Sequence, residues 1–201
     1  GDIPECWIEA LYQIGTGQGL MTGMATLDPF RPRPDVPGSG TLGGVGFREG
    51  AARVVVNVTD APSHDPFDYG TIIPNTHTLD QAAEALRRVN AHVIGIASGE
   101  PARAQLQTIA IATGAVVSPE NGRCATGARG MTRAPVAGQC PLVFDISADG
   151  TGLGDTVIDA ITRFLDTLAF RTVTGATEND PRGFVGRTAR GEGRPGAGCI
   201  S

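Results

Sequence analysis

Apolar positions along the chain follow two spacings, one typical of helices and the other typical of buried strands. Four segments carry apolar side chains three or four positions apart, which predicts amphipathic helices over residues 4–15, 78–90, 102–114 and 153–168. Three shorter segments are nearly continuous apolar runs, which predicts strands over residues 53–59, 92–97 and 141–146. Gly15 and Gly114 stand at the ends of two helical patterns and are predicted to stop those helices.

The predicted elements alternate in the order helix, strand, helix, strand, helix, strand, helix. Such alternation is typical of an α/β domain in which helices flank a mainly parallel sheet. Residues 16–50 are rich in Gly and Pro, which predicts a long irregular loop. Residues 170–201 have almost no apolar periodicity, which predicts a linker or a disordered tail after the domain.

The strand over residues 53–59 ends at Asp60, in the stretch "RVVVNVTDAPSH". A run of this kind, apolar on both faces, predicts a central strand of a parallel sheet. In open α/β sheets the functional crevice lies beyond the carboxyl ends of the strands. Asp60 is therefore either the cap of the turn that contains Pro62 or a carboxylate of a site. His64 adds the possibility of acid–base chemistry beside it.

Composition narrows the class of protein. The 201 residues are 40% hydrophobic and 18% charged, which is ordinary for a globular protein, and the net charge is −5. The negative charge and the lack of a basic cluster argue against nucleic-acid binding. No apolar stretch is close in length to the roughly 18 residues that a membrane-spanning helix needs. All 16 basic residues are Arg, which is typical of a GC-rich bacterial genome.

Cys124 and Cys140 bracket a stretch rich in Gly, Ala and Arg that reads as a surface loop. A disulfide between them is the favoured interpretation, with two free buried thiols as the alternative, because the spacing fits no Cys/His zinc pattern. A disulfide implies an exported protein. The sequence leaves the pairing of Cys6 and Cys199 open.

Four blocks resemble one family in their order along residues 1–168. "DIPECWIEAL" resembles the D-x-P-E segment of the integrin β subunit I-like domain, "VTDAPSH" its T-D-A-x-x-H strand end, and "IIPN" the following proline–asparagine stretch. Residues 85–117 resemble the helix, aliphatic strand and helix of the general von Willebrand factor A pattern. The chain thus resembles the von Willebrand factor A (VWA) superfamily.

This resemblance implies a doubly wound sheet with a metal-ion-dependent adhesion site at its top edge. The cation is Mg²⁺, or Ca²⁺ or Mn²⁺, and oxygen ligands suit all three. By resemblance Asp60 and Glu5 are ligands of this cation, and Asp2 with the Pro4 carbonyl lies near an adjacent cation. His64 and Asp65 are then expected at the rim, where the partner binds.

The family's D-x-S-x-S motif does not precede Glu5 in this sequence. The first strand and helix are therefore expected upstream, and residues 1–169 correspond to the C-terminal two-thirds of a VWA domain. "FDISADG" mimics D-x-S-x-S through Asp145, Ser147 and Asp149, but it follows the last predicted strand rather than the first. A structural turn is favoured there over a secondary cation site.

The sequence predicts a binding module rather than an enzyme. It is expected to be an exported bacterial protein, extracellular, on the cell surface or periplasmic. It would bind a protein partner through a cation bridged to an acidic group of that partner. Two alternatives stay open: an α/β enzyme that uses Asp60 and His64 in hydrolysis or cofactor binding, and a degenerate VWA scaffold without metal.

Overall fold

The structure is a computed structural model that describes residues 4–21, 26–70, 73–128 and 131–167. Asp2 and the predicted tail over residues 170–201 lie outside the described residues. The helices are α1 (Trp7–Thr16), α2 (Pro66–Tyr69), α3 (Leu79–Arg88), α4 (Glu100–Ala112) and α5 (Leu153–Thr167). The strands are β1 (Leu20–Met21), β2 (Thr26–Leu27), β3 (Arg53–Thr59), β4 (Ala91–Ala97), β5 (Val116–Val117), β6 (Cys140–Pro141) and β7 (Val143–Asp145).

A parallel sheet of order β3–β4–β7 forms the centre of the described part of the chain. β3 and β4 pair over their whole length, from Arg53 beside Ala91 to Thr59 beside Ala97. β7 pairs with the last three residues of β4 on the other side. The predicted α/β architecture with a parallel sheet is confirmed, because helices connect these parallel strands.

Helices cover the two faces of this sheet. On one face a Cβ placed on Gly95 of β4 would lie 3.1 Å from the Leu106 side chain of α4. On the other face the ring of His92 in β4 lies 4.7 Å from the ring of Phe164 in α5. The core between these layers contains fully buried aliphatic side chains of β4, α3 and α4, among them Ile94, Leu86 and Leu106.

β3 is an edge strand of the described sheet, although its apolar run predicts a central one. Val54, Val55 and Val56 are half-buried, and Val58 is 46% exposed. β4, by contrast, has a strand on each side and is buried almost throughout. The difference arises because burial of a strand depends on its neighbours in the sheet, which composition alone does not specify.

Helix α1 ends at Thr16, with Gly17 as its cap, and not at Gly15 as its sequence pattern predicts. Gly17 adopts the left-handed conformation, with φ of 64°, and its N–H donates to the carbonyl of Gln13. Gly15 lies inside the helix, where an added Cβ would come within 2.9 Å of the backbone of Ala85 in α3. Gly15 therefore allows α1 and α3 to pack closely rather than ending α1.

Cys124 and Cys140 form a disulfide, with their Cα atoms 5.3 Å apart. The bond joins β6 to the loop after β5, and both cysteines are buried. Cys6 is exposed and has no disulfide partner among the described residues, whereas Cys199 lies outside them. The structure thus places Cys124 and Cys140 at disulfide distance, in agreement with the predicted pairing.

None of the helices in the described ranges is long and apolar enough to cross a membrane.

Removing the disulfide by the double substitution Cys124→Ser and Cys140→Ser is expected to lower the free energy of unfolding by about 3 kcal/mol. The bond closes a loop with a sequence separation of 16 residues, so it restricts the unfolded chain. Urea unfolding followed by circular dichroism measures the change. Cys6→Ser is the matched control, because Cys6 is exposed and takes part in no disulfide among the described residues. Equal unfolding free energies for the wild type and the double variant would contradict the expectation.

The free energy of unfolding is also expected to decrease as the pH is lowered, because of His92. Burial lowers the pKa of His92 below its usual value of 6.5, although a backbone hydrogen bond with Thr113 opposes this change. The unfolded chain therefore binds a proton at His92 more readily, and stability is lost as pH falls through the unfolded-state value. Urea unfolding between about pH 7.5 and 5.5 should show a smaller loss for His92→Gln than for the wild type. Identical losses would exclude His92 as the cause.

Candidate functional site

Glu5 and the end of β3 come together at the carboxyl edge of the sheet. The Thr59 hydroxyl donates a hydrogen bond of 2.7 Å to the Glu5 carboxylate. The Glu5 N–H donates to the Pro62 carbonyl at 2.8 Å, and the Glu5 carbonyl accepts from the His64 N–H at 2.7 Å. Glu5 is thereby fixed beside the residue that immediately precedes Asp60. The structure thus brings two of the predicted site residues to one edge, while their role as ligands stays a prediction.

The loop after β3 is held in place from two sides. The buried Ser63 hydroxyl accepts from the Ile8 N–H of α1 at 3.0 Å. The Gln105 side chain of α4 accepts from the Ser63 N–H at 2.7 Å and donates to the Ser63 carbonyl at 3.0 Å. The Trp7 indole N–H donates to the Ala61 carbonyl at 3.3 Å. These contacts preorganise the backbone around the exposed Asp60.

Asp65 caps helix α2, in addition to its expected place at the partner-binding rim. Its carboxylate accepts from the N–H groups of Phe67, at 2.7 Å, and of Asp68, at 3.2 Å. The Asp68 carboxylate accepts in turn from the Asp65 N–H at 2.9 Å, which completes a capping box for α2. Asp65 is exposed, so it also remains available at the rim.

His64 points toward α2. Its Nδ1 lies 3.9 Å from the Asp68 carboxylate, and its ring lies 4.8 Å from the ring of Tyr69. Its backbone N–H is bonded to Glu5, so the residue connects the loop after β3 to the segment before α1. These contacts are those of a residue that positions the loop.

Glu5 and Asp60 offer the carboxylate oxygens that Mg²⁺ and Ca²⁺ prefer. Within residues 4–21, 26–70, 73–128 and 131–167, no group of three His, Cys, Asp or Glu side chains is gathered for a metal. Asp2 lies outside these ranges. The donor chemistry at the edge therefore fits a hard cation, but a complete coordination shell needs oxygens beyond those of Glu5 and Asp60.

Asp145, the first residue of the D-x-S-x-S mimic, takes part in an ion-pair network. Its carboxylate pairs with Arg103 of α4 and with Arg133 of the disulfide-bonded loop. Arg133 also pairs with Glu100, and Arg103 donates to the Val143 carbonyl at 3.1 Å. These contacts support the interpretation of "FDISADG" as a structural turn, since two guanidinium groups occupy the carboxylate that a cation would need.

Arg103 is the buried member of this network, with 4% of its surface exposed. Burial, with a smaller contribution from the nearby Arg133, lowers its pKa to about 10, while Glu100 acts in the opposite direction. Arg103 therefore keeps its charge at neutral pH. A buried cation needs a nearby anion, and Asp145 provides it.

Sequence reasoning missed three residues that build the site: Thr59, Ser63 and Gln105. Thr59 and Ser63 lie in the "VTDAPSH" block, so their position there was an available signal. Gln105 lies in an amphipathic helix 42 positions from Ser63, and no local pattern connects the two.

Comparison with protein-family models gives no match, and comparison with curated proteins gives no match either.

Asp145→Asn is expected to destabilise the fold by about 3–5 kcal/mol, because it leaves Arg103 buried without its anion. Glu100→Gln is the matched control, since Glu100 is exposed and an exposed ion pair contributes about 1 kcal/mol or less. Urea unfolding of both variants measures the two losses. Similar losses for the two variants would show that burial of the Arg103–Asp145 pair does not matter for stability.

Proposed function

We propose that the chain belongs to a VWA-type domain that binds a protein partner through a divalent cation at the carboxyl edge of its sheet. The observation that carries the proposal is the hydrogen bond between Thr59 and the Glu5 carboxylate. This hydrogen bond holds the Glu5 carboxylate beside the end of β3, where Asp60 provides a second carboxylate. Two exposed carboxylates on a preorganised edge suit a binding site for a hard cation.

In this proposal Asp60 and Glu5 hold the cation, which is Mg²⁺, or Ca²⁺ or Mn²⁺. Asp2 and the Pro4 carbonyl belong to an adjacent cation. When bound, the cation supplies a positive centre that an acidic group of the partner completes. The chain's own residues fix the oxygens: Thr59 orients Glu5, and Ser63 holds the loop that follows Asp60.

The free edge of β3 supports the remaining part of the proposal. β3 has a strand on one side only within the described sheet, and its Val58 side chain is 46% exposed. An unprotected apolar edge strand is suited to pairing with a further strand. We assign this edge to the strand that carries the D-x-S-x-S oxygens in the VWA family, which would place them next to Asp60.

Binding rather than catalysis is favoured by the surroundings of His64. The imidazole lies against Tyr69 and near Asp68, and the backbone of His64 is bonded to Glu5. These contacts fit a residue that positions the site. The disulfide between Cys124 and Cys140 supports an oxidising location, outside the cell or in the periplasm.

The test is a thermal unfolding titration of the full-length polypeptide with MgCl₂. At a Mg²⁺ concentration about 100 times the dissociation constant, binding stabilises the folded state by about 2.7 kcal/mol. For a domain of this size we expect the midpoint to rise by about 5–10 °C. Asp60→Asn should abolish the rise and Glu5→Gln should reduce it, because each removes a ligand charge.

Asp166→Asn, an exposed carboxylate in the last turn of α5, is the matched control and should leave the Mg²⁺ response unchanged. If the wild type does not respond to Mg²⁺, Ca²⁺ or Mn²⁺, the domain is a scaffold without metal. If it responds and Asp60→Asn responds equally, the cation binds elsewhere and the assigned site is wrong.

A further inference from the structure

A groove of about 520 Å³ lies next to the candidate site, between α2, the first turn of α3 and one side of α4. Apolar side chains of Ile8, Pro66, Phe67 and Leu79 line it, together with the carboxylates of Asp65 and Asp80. We call these six residues the acidic groove. Among the described residues its charge has one sign, because none of those that line it is Arg, Lys or His.

Phe67 is the most exposed large apolar side chain of the described residues, at 90%. Its backbone is nevertheless fixed, because the Asp65 carboxylate accepts from the Phe67 N–H and the capping box closes around α2. A large aromatic side chain presented to solvent from a fixed backbone is suited to anchor an interface, since the backbone loses little conformational freedom when a partner covers it.

The rest of the acidic groove is also preorganised. Leu79 begins α3, which Thr78 caps through a reciprocal pair of hydrogen bonds with Gln81. Gln105, which also lines the groove, has its amide engaged by the backbone of Ser63. Asp80, in the first turn of α3, is exposed. The groove therefore offers an apolar floor with a negative charge on its α2 side and another on its α3 side.

Charge complementarity indicates the occupant. An apolar surface between two carboxylates suits a peptide segment in which an apolar side chain is flanked by basic ones, and an Arg or Lys can also lie over the Phe67 ring. A second copy of this chain fits less well, because its net charge is −5.

Residues 182–194 of this chain, with four Arg and one Glu, have the right sign, but they follow α5, which ends away from the acidic groove. Phe164, close to the end of α5, contacts His92 at the beginning of β4. α5 therefore ends at the amino edge of the sheet, whereas the acidic groove lies at the carboxyl edge, beside the first turn of α3. α5 also packs on the face of the sheet opposite to α4. A segment of another protein does not have to cross this distance.

We propose that the acidic groove docks a segment of a protein partner in which basic side chains flank an apolar one. The basic groups pair with Asp65 and Asp80, and the apolar side chain packs between Phe67 and Leu79. This contact goes beyond the proposed cation site and does not require a metal, so the two can be tested separately.

The experiment measures fluorescence polarisation of the labelled peptide Gly-Arg-Leu-Arg-Gly with the full chain in EDTA. We expect it to bind about tenfold more tightly than Gly-Glu-Leu-Glu-Gly, because the acidic peptide is repelled. Added salt should weaken binding of the basic peptide. Phe67→Ala should weaken it about tenfold, as for an interface anchor, and Asp80→Asn about threefold, as for an exposed ion pair.

Two control variants are Phe30→Ala, which truncates an exposed Phe in the loop after β2, and Asp166→Asn. Both should bind the peptide like the wild type, and unfolding midpoints should show that all variants are folded. Equal binding of the two peptides, or equal affinities of Phe67→Ala and Phe30→Ala, would overturn the proposal. If the basic peptide binds only after residues 170–201 are removed, the occupant of the groove is the chain's own segment.

If the wild type forms a dimer that Phe67→Ala dissociates, the occupant of the groove is a second copy of the chain. Both of these outcomes overturn the assignment to another protein. Because EDTA is present throughout, failure here leaves the cation proposal intact.

Discussion

The hydrogen bonds between the segment before α1 and the loop after β3 are the contacts on which the candidate site depends. Glu5 and Ser63 are 58 positions apart in the chain, yet the Ser63 hydroxyl and the Glu5 carbonyl are 3.1 Å apart. The neighbouring backbone bonds of Glu5 to Pro62 and His64 complete this connection. Without them the Glu5 carboxylate would belong to a mobile end of α1, and Asp60 would have no second carboxylate fixed near it.

β3 and β7 end at the same edge of the sheet, but the aspartates at their ends differ in their electrostatic environment. Asp60 after β3 is exposed, and the loop that follows it is held by hydrogen bonds between the uncharged groups of Ser63 and Gln105. Asp145 at the end of β7 is paired with two arginines, one of them buried. A carboxylate neutralised in this way stabilises the fold, whereas an exposed carboxylate on a rigid loop is available for a ligand. This contrast is the physical reason for assigning binding to the β3 end.

Negative charge also connects the two proposals. The proposed cation site and the acidic groove are adjacent, and both present carboxylates on backbone that hydrogen bonds fix. Such a surface attracts cations, whether metal ions or basic side chains. A partner that engages both would present an acidic group to the metal and a basic, partly apolar segment to the groove. Each contact alone is modest, and two contacts held at a fixed spacing would bind more tightly and more selectively.

The sequence by itself determined the elements and their class. Apolar periodicity predicted α1, α3, α4 and α5 and the strands of the central sheet, and their alternation predicted a parallel sheet, because these patterns follow from the local geometry of the backbone. It did not predict the short helix α2 or the two-residue strands β1, β2 and β5. The cysteine spacing predicted the disulfide. The sequence pattern also indicated Asp60 as a candidate site residue, since the end of a strand can be recognised from the local sequence.

Only the tertiary structure decided which strand lies at the edge, that Gly15 is a packing contact rather than a helix end, and that Asp145 belongs to an ion-pair network. It also revealed Gln105 and the exposed Phe67 beside two carboxylates. These features depend on contacts between residues distant in the chain. Local sequence patterns do not encode such contacts, because burial and charge pairing are properties of the assembled layers.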